Sequence, residues 1–211
     1  NLEGSYEIDT LRLLTVAFGM YGSNSKNYGD GFTTMYGADH EDIAYSYRTG
    51  NHGDGSWYSI NGNIDYQRTS RKNKQRMITF SYKINTQPQT SNSNTGYEDI
   101  HAKEEVGDLV KRLLLKNSQS DGKTNTMEQT FQVDYTTPIG ELHTVEAGAK
   151  YIFRRNTSDN KLYEAAGGSD DYLYNEDRSS DYRHLNHILA AYLGYTLKYK
   201  DFTFKPGVRY E

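Results

Sequence analysis

Acidic side chains form two clusters that are candidates for binding a metal ion. One is the run Asp39-His40-Glu41-Asp42. The other comprises Asp170, Asp171, Glu176, Asp177 and Asp181. Neighbouring residues on a strand point to opposite faces, so we interpret the first run as a solvated strand entry. Clustered carboxylates suit calcium, but the second set matches the spacing of no known calcium loop. We therefore predict no metal site and keep Asp170, Asp171 and Asp177 as the only candidates.

The remaining chemistry-bearing residues do not predict an enzyme. His52, His101, His143, His184 and His187 show no paired spacing with a nearby nucleophile. The chain has no cysteine, which excludes disulfides, thiol catalysis and thiolate metal sites. Two Gly-Asp-Gly segments, at 29–31 and 53–55, are turn chemistry because no helix follows them. We predict neither catalytic residues nor a cofactor, and the net charge of -4 gives no basic patch for nucleic acid.

Aromatic residues are the better candidates for ligand contact, since the chain has 20 tyrosines. Aromatic rings in loops can stack on a ligand such as a sugar. The candidates for this role are Trp57, Tyr97, Tyr163, Tyr172 and Tyr174. Packing within the loops is the alternative role for the loop tyrosines. Tyrosines at strand ends or on apolar faces suit an interfacial girdle better.

A hairpin at residues 127–155 is the clearest element. Its turn is predicted at residues 137–140, where proline and glycine occur. Alternating residues from Val145 to Phe153 form an apolar face, and Glu146 and Lys150 lie on the opposite, polar face. Such alternation is typical of an antiparallel strand with one wetted face. The pattern does not decide whether a protein core or a lipid bilayer covers the apolar side.

The same alternation predicts an all-β antiparallel meander of about eight strands over residues 1–211, as a single segment. Two strands lie in the hairpin, and the others are predicted at 11–22, 32–48, 57–67, 77–85, 187–199 and 202–210. Apolar residues at helical spacing predict one short helix at 104–116, inside a long loop. No apolar run approaches the ~20 residues of a membrane-spanning helix.

Connection lengths alternate along this meander. The connections near residues 71, 138 and 200 are short, and those at 94–123 and 157–181 are long. All long loops then fall at one end of the sheet, as in outer-membrane barrels. The basic turn at 68–76 either contacts anionic lipid headgroups or is simply solvated.

Several segments resemble the outer-membrane β-barrel family of Bacteroidetes, which belongs with the TonB-dependent receptors. They are LLTVAFGMYGSNSKN, the DYQR strand end, QVDYTTPIGELHTVEAGAKYIFRRNTSDN and FTFKPGVRYE. The resemblance implies a Gram-negative outer-membrane receptor or transporter with a barrel of ~22 strands around a plug. The chain shows no recognisable plug, no segment that docks the energising partner and no final strand ending in an aromatic residue. We therefore expect an inner portion of a transmembrane barrel.

Two functions follow as alternatives. In the first, the chain is part of a barrel that mediates energy-coupled uptake of an unidentified ligand. Its apolar faces then meet outer-membrane lipid, and Asn63, Asp65, Glu146 and Lys150 face the lumen. An inner-membrane energy-coupling complex would act through the plug, and open strand edges would allow the excised segment to self-associate. In the second, the chain is a soluble β-barrel or sandwich that binds a ligand through tyrosine-rich loops.

Overall fold

A computed structural model describes residues 1–38, 41–111 and 115–211, with only the backbone of Glu105 and Val106. One sheet of ten antiparallel strands accounts for most of these residues. The strands are β1 (Leu2–Asp9), β2 (Arg12–Tyr36), β3 (Ile43–Thr69), β4 (Met77–Ala102), β5 (Lys116–Ile139), β6 (His143–Ala166), β7 (Leu173–Tyr174), β8 (Ser180–Tyr199), β9 (Phe202–Phe204) and β10 (Gly207–Tyr210). A short helix, α1 (Glu104–Leu109), lies between β4 and β5.

The strand order confirms the predicted antiparallel meander. Each strand from β1 to β6 pairs with the next, β8 pairs with β6, and β9 and β10 pair with β8. β7 is a two-residue addition to the end of β6. In the described part of the chain β1 pairs only with β2 and β10 only with β8, so the sheet is open, with β1 and β10 at its two edges.

The strands are much longer than the sequence predicts. Five of them, β2 to β6, contain 24 to 27 residues each. At ~3.3 Å per residue, a strand of this size extends roughly 80 Å along its own axis. The Gly-Asp-Gly segments at 29–31 and 53–55, predicted as turns, lie within β2 and β3. Both predictions are wrong because cross-strand pairing satisfies the backbone of these polar segments on both strands.

Two other predicted elements need the same correction. The strand predicted at 32–48 belongs to two strands, since β2 ends at Tyr36 and β3 begins at Ile43. The long connections predicted at 94–123 and 157–181 are mostly strand, because β4, β5, β6 and β8 continue through them. At this end of the sheet the chain passes from Tyr36 to Ile43, from Ala102 to Lys116 through α1, and from Ala166 to Ser180 through β7. At the opposite end, the connections are residues 10–11, 70–76, 140–142 and 200–201. The connections at that opposite end are therefore the shorter ones.

Local chemistry explains the smaller differences. β5 continues through Pro138, and the turn falls at 140–142, where Gly140 adopts a φ of 67°. α1 ends at Leu109, earlier than the predicted end at 116, where β5 begins. The predicted helix residues Leu113 and Leu114 lie outside the described residues. The sequence also missed β1, and Pro206 divides the predicted last strand into β9 and β10.

The sheet has almost no core of its own. Buried apolar residues in the described part of the chain are Val110, Leu115, Ile152, Ala165 and Ala190. Most large apolar side chains are instead exposed, and Leu189 and Phe131 have exposed fractions of 68% and 48%. Three of the five, Val110, Leu115 and Ala165, lie at the long-connection end, where a Cβ on Gly167 would also lie 2.8 Å from Ile100 Cδ1.

Candidate functional site

The register divides the sheet into an apolar face and a polar face. On the apolar face, one row runs through Val16, Ile64, Tyr82, Phe131, Tyr151 and Leu189. On the polar face, a neighbouring row runs through Asp65, Ser81, Gln132 and Lys150. Asn63 and Glu146 belong to the same polar face, two residues from Asp65 on β3 and four residues from Lys150 on β6. All four residues predicted to face a lumen therefore lie on one side of the sheet.

Hydrogen bonds and ion pairs connect side chains of the polar face, both within and between strands. Asp65 accepts hydrogen bonds from Asn63 and Ser81. Asp134 accepts a hydrogen bond of 2.7 Å from Gln132 Nε2 and one of 2.6 Å from the Tyr192 hydroxyl. Further pairs are Glu146 with Lys205, at 3.0 Å, and Glu128 with Arg154. These contacts give a charged, hydrogen-bonding wall suited to water or a polar solute.

Gly148 has no side chain, which makes room for the hydrogen bond between Tyr192 and Asp134. Gly148 pairs with Asp134 on one side and with Tyr192 on the other. A Cβ at Gly148 would overlap the Tyr192 ring and lie 2.6 Å from Asp134 Oδ1. The Tyr192 ring therefore crosses Gly148 to reach Asp134, and this close approach requires glycine.

Aromatic rings cluster on the polar face towards the long-connection end of the sheet. The ring centroid of Tyr47 lies 5.5 Å from that of Tyr97 and 6.2 Å from that of Tyr45. Nearer the middle of the sheet, Trp57 contacts Tyr21 edge to face at 5.7 Å. These rings offer faces and edges on which a planar or ring-shaped solute can stack.

A half-buried carboxylate, that of Glu164, holds the connection at 167–179 beside this aromatic cluster. The Glu164 side chain is 11% exposed, and it accepts hydrogen bonds from Asn175 Nδ2 at 2.6 Å and from Arg178 at 2.5 Å. Lys116 Nζ lies 3.6 Å away. The hydrogen bond from Asn175, together with the charges of Lys116 and Arg178, lowers the pKa of Glu164. Glu164 therefore stays ionised and connects the loop to β5 and β6.

Cavities occur on both sides of this end of the sheet. One of about 400 Å³ is lined by Tyr97, Leu162, Glu164 and Arg178. Another, of about 520 Å³, adjoins Tyr28, His52, Asp170 and Tyr172. Burial, followed by the charge of Asp170, raises the pKa of Tyr172, so its hydroxyl stays a hydrogen-bond donor.

The structure places the predicted ligand aromatics in three groups. Tyr97 and Tyr172 line one cavity. Tyr163 and Tyr174 contact each other at 5.5 Å. Trp57 lies on β3, apart from both groups, and Tyr97, Tyr163 and Tyr174 also belong to strands rather than to the predicted loops.

The predicted acidic clusters do not assemble as metal ligands in the part of the chain that is described. No group of three or more acidic or histidine residues there could hold a metal ion. Asp170 and Asp171 lie beside different cavities, and Asp177 lies beside the cavity that Asp171 lines. Of the first cluster, Asp42 pairs with Lys103 at 2.9 Å, and Asp39 and His40 lie outside the described residues.

Sequence reasoning missed several residues of this surface. Tyr45 and Tyr47 carried a signal, since they alternate with polar residues near the end of a predicted strand. Glu164 and Arg178 carried none, because their contact depends on a loop that returns to β6. Tyr192 and Asp134 come together only through the pairing of β5, β6 and β8.

Comparisons with known proteins match this architecture. A family model described as "Outer membrane protein beta-barrel family" matches residues 68–211, more than half of the chain. No curated protein matches the chain. Among the described residues, no helix has the length and apolarity needed to cross a membrane.

One solved structure shows a distant likeness. It is a crystal structure of the ferric citrate transporter FecA in the unliganded form, with 13% identity and a TM-score of 0.28. The alignment covers 98% of this chain and 36% of that one. This chain therefore corresponds to about a third of the length of that transporter.

Proposed function

The chain belongs to the outer membrane protein beta-barrel family, and from that premise we propose that it forms part of the wall of a receptor that takes up a polar solute. The family locates the chain in the outer membrane. In this setting the exposed apolar face meets lipid, and the polar face lines the barrel lumen. Short connections then lie on the periplasmic side, and the long strand extensions project outwards.

The strand lengths support this placement. A transmembrane strand needs ~9–11 residues, and β2 to β6 each have at least 24. In β6 the apolar alternation covers the half that begins at His143, whereas the half after Phe153 is polar. The outer halves of the strands therefore rise well above the bilayer and form a tall vestibule.

The observation that carries the proposal is the polar face of this vestibule. Tyr45, Tyr47 and Tyr97 present rings there, close to the cavity lined by Glu164 and Arg178. Rings beside paired charges suit a solute with both apolar ring surfaces and hydrogen-bonding groups, such as a sugar. Trp57 and Tyr21 lie further along the path towards the middle of the sheet.

Uptake in this proposal is driven from the inner membrane. An energy-coupling complex acts through a plug that closes the barrel, and the wall itself makes and breaks no bond. We therefore propose a transport role with no catalytic residue and no cofactor in this wall. Calcium binding by Asp170, Asp171 or Asp177 is not part of it.

Depletion of solutes from a defined medium tests the proposal. Cells with the intact gene are compared with a deletion strain, each with and without the uncoupler carbonyl cyanide m-chlorophenylhydrazone. We expect at least one polar solute to be depleted only by energised cells that have the gene. Equal depletion in uncoupled cells would indicate a passive pore, and an unchanged solute profile would remove the uptake role.

Two matched variants locate the contact on the wall. Tyr97→Ala removes a ring from the polar face of the vestibule, and Tyr66→Ala removes one from the apolar face near the short-connection end. We expect Tyr97→Ala to slow depletion and Tyr66→Ala to leave it unchanged at equal protein levels. The reverse pattern would contradict a ligand surface at Tyr97.

A further inference from the structure

A basic cavity lies at the short-connection end of the sheet. It has a volume of about 670 Å³ and is lined by Arg12, Arg68, Arg71 and Arg76, among other residues. These arginines come from the ends of β2 and β3 and from the connection between β3 and β4. Three separate parts of the chain thus direct guanidinium groups to one place.

Positive charge is in excess in this cavity. Its lining contains four arginines and one acidic residue, Asp9, which leaves a net charge of +3. Asp9 is already paired with Arg12, whose Nε donates to it at 2.8 Å. Arg76 Nε donates to the Thr137 hydroxyl at 3.0 Å, which fixes that side chain beside β5. Arg68 and Arg71 are exposed, so their forks are accessible to an external anion.

The cavity also has an apolar side. Ile78 and Tyr135 line it, and they stand in register with Arg68 on the apolar face of the sheet. Two residues further along the same face lies Phe80, with an exposed fraction of 46%. A molecule that fills the cavity and continues along the sheet therefore meets guanidinium groups first and an apolar surface next.

We propose that this cavity binds the phosphodiester headgroup of a phospholipid whose chains lie along the apolar face. Guanidinium forks match phosphate oxygens in bidentate geometry, which favours phosphate over other anions. The apolar continuation at Ile78 and Phe80 favours a lipid over a free anion. This site rests on the outer-membrane location of the family and is independent of solute uptake.

Native mass spectrometry of the delipidated protein in mild detergent tests the site. The protein is titrated with phosphatidylglycerol, with diacylglycerol of the same chains, and with inorganic phosphate as a competitor. The variant is Arg68→Gln with Arg71→Gln. The control is Arg48→Gln with Arg183→Gln, which removes two exposed arginines of β3 and β8 outside the cavity.

We expect the wild-type chain and the control to bind phosphatidylglycerol equally. The cavity variant should bind it about 30-fold more weakly, since each arginine near an anionic headgroup contributes roughly a factor of five. Diacylglycerol should bind as weakly to the wild-type chain as phosphatidylglycerol does to the cavity variant, and millimolar phosphate should not displace the lipid.

Three results would overturn the proposal. They are equal lipid binding by the cavity variant, displacement of the lipid by phosphate alone, and equal binding of diacylglycerol. If the double glutamine variant fails to fold by circular dichroism, Arg68→Lys with Arg71→Lys replaces it. That pair keeps the charge but loses the planar fork, so an affinity equal to that of the wild-type chain would then contradict a bidentate phosphate site.

Discussion

Substitution of Ala149 distinguishes a lipid-facing surface from a packed protein core. Ala149 lies in the middle of the apolar row of β6, between Val133 on β5 and Ala191 on β8. It is exposed, so a larger side chain there projects into the surroundings of the sheet. The response to an added apolar group therefore reports what those surroundings are.

Ala149→Leu should stabilise the chain in lipid vesicles. The change adds three carbon atoms, and each fully buried methylene contributes about 0.8 kcal/mol, so the expected gain is up to about 2.4 kcal/mol. In a packed core the same change would overfill the space and cost about 1–3 kcal/mol. Ala149→Lys should cost roughly 2–4 kcal/mol near the bilayer midplane.

Reversible denaturant unfolding in vesicles measures these free energies. The matched control is Thr79→Lys, because Thr79 lies on the polar face opposite Asp134. We expect the control to change the free energy of unfolding by less than about 1 kcal/mol. A destabilising Ala149→Leu, or equal costs for the two lysines, would refute the assignment of the faces.

The polar face and the connection at 167–179, which Glu164 holds, can be tested in the same way. Gly148→Val should cost about 1–3 kcal/mol because it displaces the Tyr192 ring, and the additional change Tyr192→Ala should recover part of that loss in the same unfolding assay. Tyr192→Phe should cost about 1 kcal/mol, and far less in an Asp134→Asn background, since the two groups share one hydrogen bond. The pKa of Glu164 is lowered in the folded chain, so its contribution to stability is present above the unfolded value of 4.5 and is lost as the pH falls through the folded value. The protection of the amides of residues 167–179, measured by hydrogen exchange relative to the intrinsic rate at each pH, should therefore stay high down to pH 4.5 and fall only below it. Arg178→Ala should lower that protection at neutral pH, and unchanged protection in this variant would contradict the role of the Glu164–Arg178 ion pair in holding the connection.

The fold could be predicted from sequence where alternation was strict. The hairpin at 127–155 and the strand at 57–67 have alternating apolar residues, and both occur in the sheet. The strand extensions could not be predicted, because residues such as Gly53 and Gly55 usually end a strand. Here they continue it, since neighbouring long strands provide backbone partners on both sides.

The candidate site was predictable only in part, for a similar reason. The polar-face residues Asp65 and Lys150 follow directly from period-two alternation, so the sequence placed them together. The contact between Glu164 and Arg178 joins residues on opposite sides of a loop, and nothing in their local sequence specifies that contact. Tyr192 crosses an adjacent strand at Gly148, which only the register of three strands determines.

Cysteine labelling on intact cells tests most directly whether the sheet crosses the outer membrane with its long strands outside. The chain contains no cysteine, so single introduced cysteines report their own positions. Ser93→Cys lies in the outer half of β4, and Asn73→Cys lies in the short connection between β3 and β4. A membrane-impermeant maleimide should label Ser93→Cys on intact cells and Asn73→Cys only after the outer membrane is permeabilised. Labelling of Asn73→Cys on intact cells, with Ser93→Cys protected or equally labelled, would contradict this orientation.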